Sequence, residues 1–288
     1  MHITELTKKS KDDLEVLTKV ASDYAYMIGL IKRPRIAEQP SELLRENILA
    51  YMVFIYGKLG TSIRILNGYQ IDDIIPHINS KSYDHFTCFD ITRSVYESFL
   101  QSSWILKEFS TEKQRHFLIL WWTVRAYSER VSLAKAKHAE DEAENVELEI
   151  VKLCGILKSR YKEELDDYKQ KFKGTDANGL PRWPKPGQLY RIAGVSKFHH
   201  DYIYKFHSLY SHSEPFAMTQ LKHFLSNPID INLHIGFTAP YLIFFSVAAL
   251  DRYRILFPEA DVAVKEDKQL QHLIELSTVY LQKENRSS

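Results

Sequence analysis

Apolar residues recur at intervals of three and four along most of the chain, which is the spacing of an amphipathic α-helix. Asp12 to Leu30, Ser41 to Leu66 and Tyr83 to Phe109 follow this spacing, and Thr111 is placed to cap a further helix. The alternation of apolar and polar residues that is typical of a half-buried strand is nearly absent. The pattern predicts an all-α fold, a single compact domain of about eight to ten helices.

Two segments interrupt this pattern in the middle of the chain. Residues 135–172 are rich in Lys and Glu with few apolar positions, which predicts a protruding helical hairpin that is exposed to solvent or contacts a protein partner. Residues 173–187, KGTDANGLPRWPKPG, contain three prolines and predict a loop in which Trp183 packs against the helices. Helical spacing resumes over 197–213, 217–225, 233–256 and 264–283. We divide the chain into an N-terminal helical portion, 1–80, and a helical bundle, 81–288.

The composition narrows the classes of protein to which the chain can belong. Its 38 basic and 37 acidic side chains give a net charge of +1, which excludes a uniformly basic nucleic-acid coat. Two cysteines cannot form a disulfide framework or a four-cysteine zinc site. The polar N-terminus lacks a secretory signal, and the longest apolar run, Thr238 to Leu250, is shorter than the roughly 20 residues of a membrane span. We expect this run to form a core helix of a cytoplasmic protein without membrane association.

Histidines are concentrated in one run, Lys197 to Pro215. Because an α-helix turns about 100° per residue, its residues separate into three faces. One face is apolar and contains Tyr202, Ile203, Phe206, Leu209 and Tyr210. A polar stripe along its edge contains Asp201, Lys205, Ser208 and His212. A third stripe, on the far side, contains His200, Tyr204, His207 and Ser211.

The polar stripe has the residue types of a shallow active-site groove. The imidazole of His212 suits general acid–base catalysis near neutral pH, and Lys205 can bind a phosphate or another anion. A solvated helix edge without any chemistry has the same pattern, and that alternative stays open. His200 and His207 lie two turns apart with no carboxylate to complete a ligand set, so we predict no metal and no cofactor.

A second set of chemically interesting residues lies between Asp90 and Trp104. Arg93 falls inside the apolar arc of this helix, and Glu97 lies at the margin of the arc. A charged side chain is rarely buried unless it is paired. We therefore expect Arg93 and Glu97 to be largely buried and bonded to each other or to the histidine-rich helix. They belong either to a functional site or to a structural network between two helices.

The chain resembles a group of bacterial helical proteins of unknown function. The resemblance lies in the Arg93–Glu97 helix, the Trp/Pro-rich break after it, and the later helix with Tyr, Ser and His. These proteins are themselves similar to the HEPN superfamily (higher eukaryotes and prokaryotes nucleotide-binding). The resemblance covers residues 83–256 and implies a HEPN-like bundle core. Many HEPN proteins are metal-independent endoribonucleases of toxin–antitoxin and antiphage systems, act as homodimers and carry an arginine and a histidine on one late helix. His212 matches the histidine, and Lys205 stands where the arginine is expected.

This resemblance implies roles for individual residues. His212 would act as base or acid in forming a 2′,3′-cyclic phosphate, Lys205 and Arg93 would stabilise phosphate charge, and Glu97 would orient Arg93. RNA would contact four residues around them: Tyr204, His207, Ser208 and Tyr210. The two tyrosines would stack on bases. Two alternatives stay open: a non-catalytic module that binds a nucleotide, RNA or protein partner, and a metal-dependent hydrolase.

Overall fold

A computed structural model of the chain describes residues 3–31, 40–70, 81–82, 85–207 and 230–282. This part of the chain contains eleven α-helices and two short strands, so the predicted all-α fold is confirmed. The helices are α1 (Ile3–Leu30), α2 (Pro40–Leu66), α3 (His85–Glu108), α4 (Glu112–Ala136), α5 (Glu140–Arg160), α6 (Lys162–Phe172), α7 (Pro186–Leu189), α8 (Lys197–Asp201), α9 (Asp230–Tyr253), α10 (Pro258–Glu266) and α11 (Lys268–Gln282). The strands β1 (Tyr69–Gln70) and β2 (Lys81–Ser82) pair antiparallel, with Tyr69 opposite Ser82.

Thr111 caps α4 as its sequence predicts. Its hydroxyl oxygen accepts a hydrogen bond from the backbone N–H of Gln114 at 3.2 Å, and the Gln114 side chain accepts one from the Thr111 N–H at 3.1 Å. This reciprocal pair satisfies two of the N–H groups that a helix start leaves without an intrahelical partner.

The single helix predicted over 264–283 is wrong, because the structure breaks it at Asp267. Asp267 has an extended backbone, and its carboxylate accepts hydrogen bonds from the N–H groups of Gln269 and Leu270, both at 2.9 Å. A short acidic side chain in this position competes with the continuing helix and caps the next one. The chain therefore forms α10 and α11 instead of one helix.

The described chain divides into two compact units, and we describe each one separately. Unit 1 comprises 1–33, 48–104 and 186–288, and unit 2 comprises 34–47 and 105–185. The division between an N-terminal portion and a bundle that the sequence suggested falls at residue 80, which lies outside the described residues.

Unit 1 is built around α9, which packs against α1 and α11. The apolar run in α9 is mostly buried, as predicted for a core helix, with Leu242 and Phe245 fully inaccessible. Two buried hydrogen bonds fix its neighbours: the Tyr24 hydroxyl donates to the carbonyl of Ser246 at 2.6 Å, and the hydroxyls of Ser102 and Tyr253 lie 2.9 Å apart.

Two helices are long and apolar enough to cross a membrane by length and composition alone. They are Pro40–Leu66, with a mean hydropathy of 1.3 and a third of its apolar window buried, and Ile235–Tyr253, with a mean hydropathy of 1.2 and 61% buried. This is weak evidence of a membrane span, since a core helix of a soluble protein has the same properties.

Unit 2 contains α4, α5 and α6. Of these, α5 and α6 lie in 135–172, the segment for which the sequence predicts an exposed hairpin. Its core is a set of aromatic rings in which Tyr168 stacks on Phe109 and Phe117, with centroids 5.6 and 5.7 Å away. Both α5 and α6 contribute buried residues, among them Val146, Ile150, Leu157, Leu165 and Phe172. The apolar positions in 135–172 are few but regularly spaced, and they pack these helices into the unit.

Candidate functional site

The histidine-rich helix changes its hydrogen-bonding pattern after its first turn. Ser196 caps α8 by accepting a hydrogen bond from the N–H of His199 at 3.4 Å. After Asp201 the chain continues as a π-helix, Tyr202–Phe206. In such a turn each bond spans five residues instead of four, and π-turns are frequent at functional sites. The wider turn rotates the side chains that follow it away from the positions of an ideal α-helix.

The structure corrects the faces expected from the sequence. Ile203 is fully buried, as predicted for the apolar face, and Lys205 is exposed at the polar edge, with 77% of its side chain accessible. His200 and His207, which were expected on the far side of the helix, are instead buried. These two histidines of the third stripe are therefore core residues, and Tyr204 between them is half-buried.

Arg93 and Glu97 form the ion pair that their spacing predicts. The Arg93 Nε lies 3.0 Å from a Glu97 carboxylate oxygen on α3. The guanidinium carbon of Arg93 also lies 4.8 Å from the ring centroid of Tyr204 in the π-turn, which is the distance of a cation–π contact. The two charged side chains are 22% and 33% accessible, so they are half-buried where the sequence analysis expected them to be largely buried. Arg93 is thus held in place while part of it reaches solvent.

His200 lies at the centre of a group of aromatic rings. Its ring stacks on Tyr190, with centroids 4.5 Å apart and planes 8° apart, and on Tyr204 at 5.6 Å. Its Nδ1 is 2.7 Å from the hydroxyl oxygen of Tyr96. Burial lowers the pKa of His200 below its usual value, so its ring is neutral at pH 7. His200 and the ring of Tyr204 connect Arg93 to the interior of unit 1.

His207 and His199 are also buried in unit 1. The Nδ1 of His207 lies 3.0 Å from the carbonyl oxygen of Phe89, and desolvation lowers the pKa of His207 to about 4. The Nδ1 of His199 lies 3.0 Å from the Tyr241 hydroxyl, and its ring stacks on Tyr280. His207 was expected to contact substrate, and its complete burial corrects that expectation.

Lys205 is one of two lysines that bind the same carboxylate. Its ammonium lies 3.4 Å from Asp201, which also forms an ion pair with Lys197. The hydrogen bond from Lys197, as the largest effect, lowers the pKa of Asp201. Such exposed pairs are weak and exchange readily with solvent or a bound anion. Most of the Lys205 side chain is accessible to a ligand from solvent.

The remaining predicted site residues, Ser208, Tyr210 and His212, lie outside the described residues. The structure thus brings together Arg93, Glu97 and Tyr204, and it leaves Lys205 exposed one residue further along the π-turn.

Sequence reasoning missed Tyr96 and Tyr190 as neighbours of the site. Tyr96 was recognisable, because it lies three residues after Arg93 and so occupies a neighbouring position on α3. No local pattern reveals Tyr190, since the turn after α7 brings it against His200.

No group of three or more histidine, cysteine, aspartate or glutamate side chains is placed to hold a metal ion within the described ranges. His200 and His207, the two residues considered as ligands, each make a separate hydrogen bond through Nδ1.

Comparison with known proteins identifies the family. Residues 78–229 match the model of a family of unknown function, DUF5677, and the match spans more than half of the chain. The chain belongs to the DUF5677 family. The DUF5677 region includes α3 to α8, so Arg93, Glu97 and the histidine-rich helix all fall within it. No protein with a curated description matches the chain, and no solved structure matches it.

Proposed function

We propose that the protein is a metal-independent endoribonuclease of the HEPN type. In this proposal its active site is formed by Arg93, Tyr204, Lys205 and His212. The observation that carries this proposal is the partly accessible guanidinium of Arg93, which is oriented by Glu97 and held over the ring of Tyr204. Tyr204 directly precedes Lys205 in the π-turn. A fixed and partly accessible guanidinium suits the binding of an RNA phosphate, and the exposed ammonium of Lys205 adds positive charge on the π-turn.

His212 supplies the acid–base chemistry of this proposal. The run from Lys197 to Pro215 contains four histidines, and three of them, His199, His200 and His207, are buried. A ribose 2′-OH loses its proton to a base and attacks the adjacent phosphorus. The bond to the 5′ oxygen then breaks, the leaving oxygen takes up a proton, and a 2′,3′-cyclic phosphate remains. His212 acts as the base or the acid, and Arg93 and Lys205 offset the charge on phosphorus.

Cleavage of RNA by the purified chain in the presence of EDTA tests the proposal. We expect products that end in 2′,3′-cyclic phosphate, and a loss of about a hundredfold or more for His212→Ala. Lys205→Ala should weaken RNA binding in a salt-dependent way. Lys197→Ala is the matched control, because Lys197 pairs with the same carboxylate from the preceding turn. Lys205→Arg should raise the activity, since arginine can donate two parallel hydrogen bonds to a phosphate.

A second function, a non-catalytic module that binds RNA, a nucleotide or a protein, is favoured by one observation. Asp201 lies beside Lys205 and offsets its charge, which weakens any stabilisation of a transition state. If neither the wild type nor Lys205→Arg cleaves RNA while the wild type still binds it, the nuclease proposal is wrong and the binding module replaces it. Growth and RNA integrity after induced expression, wild type against His212→Ala, test a toxin or antiphage role.

A further inference from the structure

The loop between α6 and α7 forms a cavity against α4, within unit 2, that the proposed nuclease site does not use. Its volume is about 320 Å³, which lies in the range of small-molecule pockets, about 300–1,000 Å³. Ser128 and Ser132 of α4 line one side, and Asn178, Arg182 and Trp183 of the loop line the other. Arg125, Glu129 and Asp176 line it as well, so the cavity combines aromatic rings, hydroxyl and amide groups, two cations and two carboxylates.

The loop wall of this cavity is held by several hydrogen bonds. A carboxylate oxygen of Asp176 accepts hydrogen bonds from the N–H groups of Asn178 and Leu180 at 2.9 and 3.0 Å. The indole N–H of Trp121 donates to the carbonyl oxygen of Pro181 at 3.2 Å. These bonds attach the loop to α4 and fix the cavity before any ligand enters, which reduces the entropy that binding would cost.

Trp183 provides a ring on which a planar ligand can stack. Trp183 is half-buried, and Trp121 contacts it at an interplanar angle of 60° with centroids 4.9 Å apart. The Arg125 guanidinium lies 5.2 Å from the Trp183 centroid. Trp122 packs against it too, with centroids 6.0 Å apart, and these neighbours fix the orientation of the ring at the edge of the cavity. Stacking on such a ring favours flat heteroaromatic groups, nucleobases in particular.

Asn178 is oriented to read the edge of a base. Its amide nitrogen donates to the hydroxyl oxygen of Ser128 at 3.0 Å, which fixes the plane of the carboxamide. The amide oxygen makes no hydrogen bond with a described residue, and the second amide hydrogen is likewise available. A carboxamide that presents one acceptor and one donor pairs with two atoms of a base edge, adenine most readily.

Arg182 supplies positive charge for a phosphate. The charge of Arg125 is offset by Glu129, 3.3 Å away. Arg182 donates through Nε to the Thr175 carbonyl at 3.1 Å, and it forms no ion pair with any carboxylate in the described part of the chain. Its terminal nitrogens can therefore bind an anion. We propose that this cavity binds a mononucleotide, with the base on Trp183, the base edge at Asn178 and the phosphate at Arg182. This site does not depend on the proposed nuclease activity.

Calorimetric titration of the full-length chain with AMP, GMP, CMP, UMP, adenosine and inorganic phosphate tests the proposal. We expect saturable binding of AMP and about tenfold weaker binding of adenosine, because adenosine lacks the charge-assisted contact. Arg182→Ala should weaken AMP binding about tenfold and leave adenosine binding unchanged. Trp183→Ala should weaken both, again by about tenfold, because stacking is lost.

Two variants keep the test decisive. Trp183→Phe retains a stacking ring, so it should bind AMP within a fewfold of wild type even if Trp183→Ala does not fold. Arg160→Ala removes an exposed arginine of α5 that does not line the cavity, and should leave binding unchanged. Wild-type protein that binds none of the four nucleotides overturns the proposal. Binding of AMP that is equally tight in Arg182→Ala and wild type overturns it as well.

Discussion

The Nδ1 of His200 and the hydroxyl oxygen of Tyr96 lie 2.7 Å apart, in a buried hydrogen bond that joins α8 to α3 across 104 residues of sequence. Burial lowers the pKa of His200 and raises the pKa of Tyr96, so both groups are neutral at pH 7. The bond fixes the end of α8 relative to α3. It thereby fixes the π-turn, in which Tyr204 stacks on His200 and contacts Arg93.

Removing the hydroxyl of Tyr96 should destabilise the protein measurably. Tyr96→Phe leaves the Nδ1 of His200 buried without this partner, and we expect the free energy of unfolding to fall by about 1–3 kcal/mol. Urea denaturation measures it. Tyr26→Phe is the matched control, since Tyr26 is 62% exposed and its hydroxyl should contribute less than about 0.5 kcal/mol. Equal effects of the two substitutions would contradict the structural role of the Tyr96–His200 bond.

Stability should decrease as the pH falls from about 6.5 to about 4, because of His207. Its folded-state pKa is about 4, against about 6.5 in the unfolded chain. Between these values the unfolded state binds a proton that the folded state does not bind, so stability is lost as pH falls. The contribution is on the order of 3 kcal/mol, fully present above pH 6.5 and absent below pH 4.

A variant that cannot titrate isolates this effect from the other acidic and basic groups. The amide of His207→Asn can still donate a hydrogen bond to the Phe89 carbonyl, because its nitrogen takes the place of the Nδ1 that His207 holds 3.0 Å from this carbonyl. Denaturation of both proteins at pH 7, 6, 5 and 4 gives their difference. We expect the free energy of unfolding of the wild type to fall relative to that of the variant as the pH is lowered. Identical pH dependences of the two proteins would show that His207 does not titrate in this way.

The sequence predicts the helices well, because each helix is marked by the spacing of its own apolar residues. It predicts the site less well, because the site depends on how separate helices pack against each other. The stripe of His200 and His207 was assigned to the far side of the helix, but His207 is four residues after Ile203, and such neighbours share one side of a helix. Both His207 and Ile203 are buried. The Arg93–Glu97 pair was predictable, since i, i+4 neighbours meet on any helix. The contact between Arg93 and Tyr204 was not, because it depends on how α3 packs against the π-turn.

Arg93 and Glu97 should affect RNA cleavage far more than stability. Their pair is partly exposed, and such pairs contribute at most about 1 kcal/mol to folding. We expect Glu97→Gln and Arg93→Lys to unfold near the wild-type temperature while cleavage falls at least about tenfold, because lysine lacks the planar guanidinium. Arg115→Lys serves as the control, since Arg115 also pairs with a glutamate on its own helix and is 24% accessible, in unit 2 and away from the cavity. Cleavage that is reduced equally by Arg93→Lys and Arg115→Lys would count against a specific role of Arg93.

Two glycine substitutions should have opposite effects on stability. Gly155 lies inside α5 with open space around the position of a Cβ atom, so Gly155→Ala should raise the free energy of unfolding by about 0.5–1 kcal/mol. Gly179, in the loop that forms the cavity, has a φ of +73°. Alanine is strained there, and Gly179→Ala should lower the free energy by about 1 kcal/mol. Gly179→Asn should lower it less, because asparagine tolerates the left-handed conformation. Chemical denaturation of the three variants measures these differences, and an Asn variant less stable than the Ala variant would contradict the assigned loop conformation.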